Sequence, residues 1–140
     1  CAPGFLDVNR IAVPADLLRV DRLAPNDPWW AGWFAAAGVA TVPPPQRSGI
    51  ELDSQLQEAS AVQAGFGVAM MTPLYWQAEL ASGRMVQPFD TLHVSDFAMW
   101  LVHRDNRVGV RKIERFREWL HEEMEMDRHL LPEALWQPLP

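Results

Sequence analysis

The sequence predicts an α/β fold, an open parallel-type sheet with helices on its faces. Three observations predict it. Strand-like and helix-like stretches alternate through most of the 140 residues, the pattern of helices packed on a sheet. Gly67-Val68-Ala69-Met70-Met71 is a continuous apolar run closed by Pro73, suiting a strand covered on both faces. Successive helical stretches also end at a glycine, namely Gly38, Gly65 and Gly83, where a left-handed residue closes a helix at least cost.

Taken in order, residues 1–13 read as loop, with Pro3-Gly4 a turn signal. Pro14 to Leu18 reads as one helical turn, with Pro14 at the permissive first position, and Val20 to Leu23 as a short strand. Asp27 is a helix cap followed by Pro28. The helix over 29–37 places Trp30, Trp33, Phe34 and Ala37 on one face, anchored by aromatic burial. Residues 39–48 read as loop and Ser48 to Leu52 as a strand. Asp53 or Ser54 caps the next helix, whose Leu56, Ala59, Ala61 and Val62 are expected to face inward, and Gly65 closes it. A helix over Pro73–Leu80 follows, then a short strand starting at Met85-Val86. Phe97 to Val102 reads as the best strand of the chain. The longest helix begins after Asn106, with Val110, Ile113, Phe116, Leu120 and Met124 at three- and four-residue steps. Pro132 ends any continuation, and Glu133 to Pro140 reads as a tail.

Composition narrows function. The chain is 49% hydrophobic and 21% charged, a globular balance. Its net charge is −6, its pI about 5.1, and Lys112 is its single lysine. A nucleic-acid duplex demands a clustered basic face, so this chain by itself is not expected to bind one. The seven tryptophans are expected in or beside the core. One cysteine, Cys1, permits no intrachain disulfide. No apolar run reaches the roughly 18 residues of a membrane span, and the sequence contains no basic-then-apolar leader; a soluble, cytoplasmic domain is expected. Cys1 in first place also admits an N-terminal nucleophile or a lipidated cysteine. It is expected instead to mark a boundary within a longer protein.

Several phrases, in this order, resemble the C-terminal effector-binding domain of LysR-type transcription regulators. Cys1-Ala2-Pro3 resembles the Cys-Ser-Pro that ends the first crossover between the lobes, and Pro14-Ala15-Asp16-Leu17 the Pro-x-Asp-Leu phrase after it. Trp30-Ala31-Gly32-Trp33-Phe34-Ala35-Ala36-Ala37-Gly38 resembles the Trp-x-x-Trp-Phe-x-x-Ala-Gly helix of the branch that holds the glycine-cleavage activator and the β-lactamase regulator. Gln63 to Ala69 resembles the Ala-Gly-x-Gly-Val-Ala junction. Glu79 to Phe89 resembles Glu-Leu-Ala-x-Gly-x-Leu-Val-x-Pro-Phe, Trp100-Leu101-Val102 the return strand, and Phe116-Arg117-Glu118-Trp119-Leu120 the closing helix. The resemblance implies a periplasmic-binding-protein-like fold of type II, here incomplete. It implies the second lobe over residues 1–93, a return strand and helix of the first lobe over 94–125, and a tail over 126–140. It also implies a small-molecule effector, a homodimer or homotetramer, and DNA contact only through an N-terminal domain outside this chain. No cofactor and no membrane association are implied.

Ligand sites of this fold lie at strand ends and helix N-termini. The turn from Ile50-Glu51-Leu52 into the helix that follows is such a place. The resemblance assigns effector contacts to Asp53, Ser54 and Gln55 there, with Glu51 behind them; capping by Asp53 or Ser54 is compatible with that role. Trp100 lies where the family places an aromatic near the cleft, although a tryptophan is more often core. An acidic Asp53 points to a cationic, neutral or amphoteric effector rather than a simple carboxylate. Gly65-x-Gly67 leaves a helix for a strand, the reverse of a dinucleotide loop. His93, His103, His121 and His129 lack ligand spacing, so no metal site is expected. Glu122-Glu123 are surface neighbours on a helix and make no catalytic pair. With no nucleophile–base set, an enzyme is not expected. An extracytoplasmic solute-binding protein of the same fold is the alternative.

Overall fold

The computed structural model describes residues 1–40, 42, 50–94 and 99–130. The expected features at Pro43–Pro45, at Ser48, at Phe97-Ala98 and beyond residue 130 lie outside the described residues. The chain divides into two compact units, Cys1–Ser95 and Asp96–Pro140.

The first unit opens with a helix rather than the expected loop: α1 spans Pro3–Asn9. Pro3 occupies the first turn, where its missing N–H costs nothing, and Phe5 and Leu6 pack against the core. The helix stops at Arg10, left-handed at φ 50, which donates its N–H to the Asp7 carbonyl. A short 3₁₀ turn follows at Pro14–Leu18, as expected, pinned where Asp16 Oδ2 accepts from the N–H groups of Ala12 and Val13 at 2.8 and 3.0 Å.

Helix α2 spans Pro28–Ala36, with Asp27 as its cap. It ends as the sequence predicts: Gly38, at φ 75, donates to the Ala35 carbonyl and Val39 to that of Phe34, a double closure of the last turn. Helix α3 spans Gln55–Gln63 with Ser54 as cap. Gly65, at φ 80, and Phe66 close it in the same way onto Val62 and Ala61. The 3₁₀ turn Pro73–Trp76 runs into α4, Gln77–Ala81.

The expected strands are reduced to single points of pairing. Leu23 donates its N–H to the Val68 carbonyl (2.9 Å) and Val68 donates to that of Asp21 (3.0 Å), making a parallel bridge at Arg22–Val68. Ala24 donates to Ile50 on the other side (2.8 Å), so residues 22–24 run between the segments at 50 and 68. Val86 and Cys1 exchange both backbone bonds. No continuous ladder forms among the described residues. Each stretch is pinned at one or two positions and then enters a turn, proline or helix, so bridges do not succeed one another.

Sheet order survives in the side chains. Val68 and Met70 pack in one cluster with Trp30, Trp33 and Phe34 of α2, whereas Ala69 and Met71 pack in a second with Val62 of α3 and Leu80 of α4. Val86 and Met85 divide the same way, and Val20 and Leu23 also take opposite clusters. A period of two that separates α2 from α3 and α4 is the signature of extended chain with helices on both faces.

In the second unit, residues 99–102 form no bridge among the described residues, contrary to the strand expected there. A strand persists only beside a ladder partner. Helix α5, Arg111–Asp127, is the expected long amphipathic helix. Its apolar stripe is half-covered or open, with no residue fully buried. Phe116 and Trp119 stack at 5.5 Å, and Trp119 Nε1 donates to Glu123 at 3.0 Å. An open apolar groove runs between Leu101–His103 and Lys112, Ile113 and Phe116.

Candidate functional site

Three extended segments of the first unit reach their carboxyl ends together: 22–24 leads into α2, 50–52 into α3, and 68–71 into the turn at Pro73. Such ends, fringed by helix N-termini, are where open α/β sheets hold ligands. The turn at Ala24 is left-handed (φ 44) although alanine carries a Cβ, a strained conformation held by its bond to Ile50 and by the Asp27 N–H that closes back on it.

Side chains then fix the rim. Asp27 Oδ1 accepts from the Trp29 N–H at 2.8 Å, capping α2. Asn26 Nδ2 donates to Glu51 at 2.7 Å, tying this turn to the segment before α3. Ser54 Oγ accepts from the Gln57 N–H at 3.4 Å, and Gln57 Oε1 accepts from the Asp53 N–H at 3.0 Å. Ser54 is therefore the cap, and Asp53 points outward, its carboxylate unused by any hydrogen bond among the described residues.

Gln55 is turned inward. Its Oε1 accepts from the Thr72 N–H at 3.0 Å and from Trp76 Nε1 at 3.4 Å, while its Nε2 donates to Thr72 Oγ1. It binds the start of α3 to the end of the 68–71 segment, leaving Asp53 and Ser54 as the open members of the predicted trio. Trp100 belongs to the other unit and is 73% exposed, so it is not the core residue its type favours.

Two buried charges were not anticipated. Arg22 is 6% exposed, its guanidinium carbon 5.5 Å from the ring centres of both Trp30 and Phe34, which lie side by side at 5.9 Å, a double cation–π contact; burial lowers its pKa. Glu58 is 7% exposed, while Leu56, expected inside, is 71% exposed. The signal was available: Ala59 and Val62 fix the inner face of α3, and helical spacing puts Gln55 and Glu58 on it with them. Burial pushes the Glu58 carboxyl up to about 7, reinforced by the like charges of Asp27 and then Glu51.

Cys1 is buried with Leu17, Trp30 and Phe34 and serves as packing. Among the described residues no three His, Cys, Asp or Glu side chains are grouped to hold a metal ion, and no helix is long and apolar enough to cross a membrane.

Comparison with known proteins identifies the family. Residues 1–125 match the LysR substrate binding domain. The chain is 34% identical over 128 residues to the HTH-type transcriptional activator AmpR of Yersinia enterocolitica, covering 91% of this chain and 42% of that protein. Similarity to the glycine cleavage system transcriptional activator of Escherichia coli is shorter, 39% over 56 residues, 40% of this chain and 18% of that protein. Among solved structures, the effector domain of AmpR from Pseudomonas aeruginosa aligns with a TM-score of 0.78 at 30% identity, covering 92% of this chain and 61% of that one. The chain thus spans about two fifths of the length of the curated relatives that match it along most of its length. With the family's residues matched from the first segment to α5, the chain belongs to the LysR substrate binding domain family.

Proposed function

We propose that the chain is the small-molecule-sensing and dimerisation part of a bacterial LysR-type transcription regulator, acting on a DNA-binding domain outside these residues. The observation that carries the reading is the likeness to the AmpR effector domain along most of the chain, together with a strand-end rim that presents Asp53 and Ser54. In this reading residues 1–93 are the second lobe of a periplasmic-binding-protein-like receptor, 94–125 the segment returning to the first lobe, and 126–140 a tail. The effector meets Asp53 and Ser54, with Gln55 holding their helix in place, and Trp100 is a separate candidate for effector contact within residues 94–125. Binding changes the relative populations of two arrangements and so biases distant DNA-binding heads. The likeness to transcription activators supports a cytoplasmic homodimer or homotetramer without catalysis.

The test is a thermal-shift screen of the chain against a panel of amino acids, amines and cell-wall fragments, with mass spectrometry of each compound afterwards. A ligand at about 100 times its Kd stabilises a folded protein by roughly 2.7 kcal/mol, a rise of several degrees. The expected result is at least one such rise, diminished by Ser54→Ala or Asp53→Ala, with the compound recovered unchanged. Catalytic turnover of a panel member would overturn the reading.

A further inference from the structure

The buried face of α3 carries one group that its own fold does not satisfy. Glu58 is 7% exposed, set beside Ala59 and Val62, which are fully buried. None of the hydrogen bonds or ion pairs of the described residues involves its carboxyl, and no cation among the described residues acts on it. The charged groups that act on it are the carboxylates of Asp27, at the cap of α2, and Glu51, in the segment before α3. Both stand at the same strand ends, joined by the Ala24–Ile50 backbone bond and the Asn26–Glu51 side-chain bond.

A carboxyl withdrawn from water without a donor is costly, and like charges beside it raise the cost. Arg22, the other buried charge of this unit, is met by two aromatic faces; Glu58 is met by nothing comparable. Yet it is not sealed. No wholly inaccessible side-chain oxygen or nitrogen among the described residues lacks a partner, so the unpartnered Glu58 carboxyl keeps an opening to solvent. An ionised carboxyl that keeps access to solvent at the carboxyl ends of parallel-type segments is well matched by a positive donor group from outside. A protonated amine supplies it: several N–H donors and one charge, in hydrogen bonds stronger than neutral ones. The described carboxylates do not converge as a metal cage, which favours an ammonium over a metal ion.

We propose that Glu58, flanked by Asp27 and Glu51, is the counter-charge for a cationic amine group of the effector. The proposal rests on the sensing role argued above and gives its ligand a chemical class: a small molecule with a primary ammonium, whose other end reaches the Asp53–Ser54 rim.

The experiment compares 1,4-diaminobutane with 1,4-butanediol, and with calcium and magnesium chloride, at equal ionic strength and about pH 8, where a free carboxyl is ionised. Binding is read by thermal shift and by amide shifts in ¹⁵N spectra of the full chain. The expected result is a saturable shift with the diamine, centred on Asp27, Glu51 and Glu58, and none with the diol. Glu58→Gln, which keeps the shape, is expected to weaken diamine binding roughly tenfold or more. An unchanged response in Glu58→Gln, a response to the divalent ions alone, or no response to the diamine would overturn the proposal. A neutral or anionic panel compound that binds in a Ser54-dependent way while the diamine does not would sink this inference and leave the sensing role standing. Turnover in the panel would remove the sensing role itself.

Discussion

Arg22 and Glu58 are buried in the same unit by opposite means, and the difference governs how the domain responds to pH. The Arg22 guanidinium loses hydration but gains the faces of Trp30 and Phe34, so its charge is retained in the fold. Glu58 gains no such contact, and its carboxyl rises from 4.5 to about 7, through burial first and the charges of Asp27 and Glu51 second. The folded state therefore holds this proton more tightly than the unfolded chain does. Stability from this group is complete below about pH 4.5 and declines as the pH rises to about 7. Asp16 works in the opposite direction: the Ala12 and Val13 N–H groups lower its pKa, so its contribution is present above its unfolded value and is lost as the pH falls below that value, through the lowered one. Thermal melts of the ligand-free chain from pH 5 to 8 are expected to show falling Tm, and Glu58→Gln is expected to flatten that fall and to melt higher than the parent at the alkaline end. An equally steep fall in Glu58→Gln would assign the slope to another group.

Among the elements, the bridge between residues 21–23 and Val68 is narrow and depends on a glycine. A Cβ added at Gly67 would stand 2.6 Å from the Asp21 carbonyl oxygen, a backbone atom that itself accepts from Val68. The substitution must push the two segments apart, so Gly67→Ala is expected to destabilise by about 1–3 kcal/mol, as overpacking does. Gly4, in α1, has nothing within 4 Å of its added Cβ, and Gly4→Ala is expected to be neutral or to stabilise by up to about 1 kcal/mol. Urea unfolding of both variants checks the pair, and equal effects would mean that the bridge does not set the register.

The same elements show what could be read from the sequence. Helix ends were legible because their chemistry is local: Asp27 and Ser54 cap, and Gly38 and Gly65 close, within a few residues of the turns they govern. The buried aromatics of α2 followed from spacing alone. Helix α1 was hidden because Pro3-Gly4 reads equally as a turn or as a helix start, and the contacts of Phe5 and Leu6 with the core decide the matter. The inward turn of α3 was hidden because its inner face carries Gln55 and Glu58, so hydrophobicity pointed to Leu56. A polar residue is placed inward only by its partners, such as Thr72 for Gln55, and those lie far off in sequence. Asp53 and Ser54 were legible as a helix entry; Gln55's structural duty and the burial of Glu58 were not.

At the scale of the whole molecule, the two units differ in what holds them together. The first has two clusters, on opposite faces of the extended segments, with Phe34, Leu23 and Val62 fully buried. In the second unit, no described residue is buried, and Met99, Trp100, Val102 and Val108 are largely exposed. Helix α5 has 17 residues, near the length of roughly 12–15 residues below which isolated helices are marginal in water. Its local support comes from the Phe116–Trp119 stack and the Trp119–Glu123 bond. Backbone hydrogen bonds open at rates set by the packing above them, and those without a packed cover open first. Native-state hydrogen exchange of the chain is therefore expected to protect the amides of Leu23, Val39 and Val68 most strongly, since each is bonded within the two-cluster unit. The amides of residues 99–103 are expected to exchange almost as fast as in an unfolded chain, and those of α5 at intermediate rates, faster than α2 despite the greater length of α5. Exchange at dilute concentration is the informative condition, because association through the exposed apolar side chains would cover them and slow α5 as the concentration rises. Protection of α5 equal to that of α2 and independent of concentration would mean that the second unit is stabilised by contacts other than these.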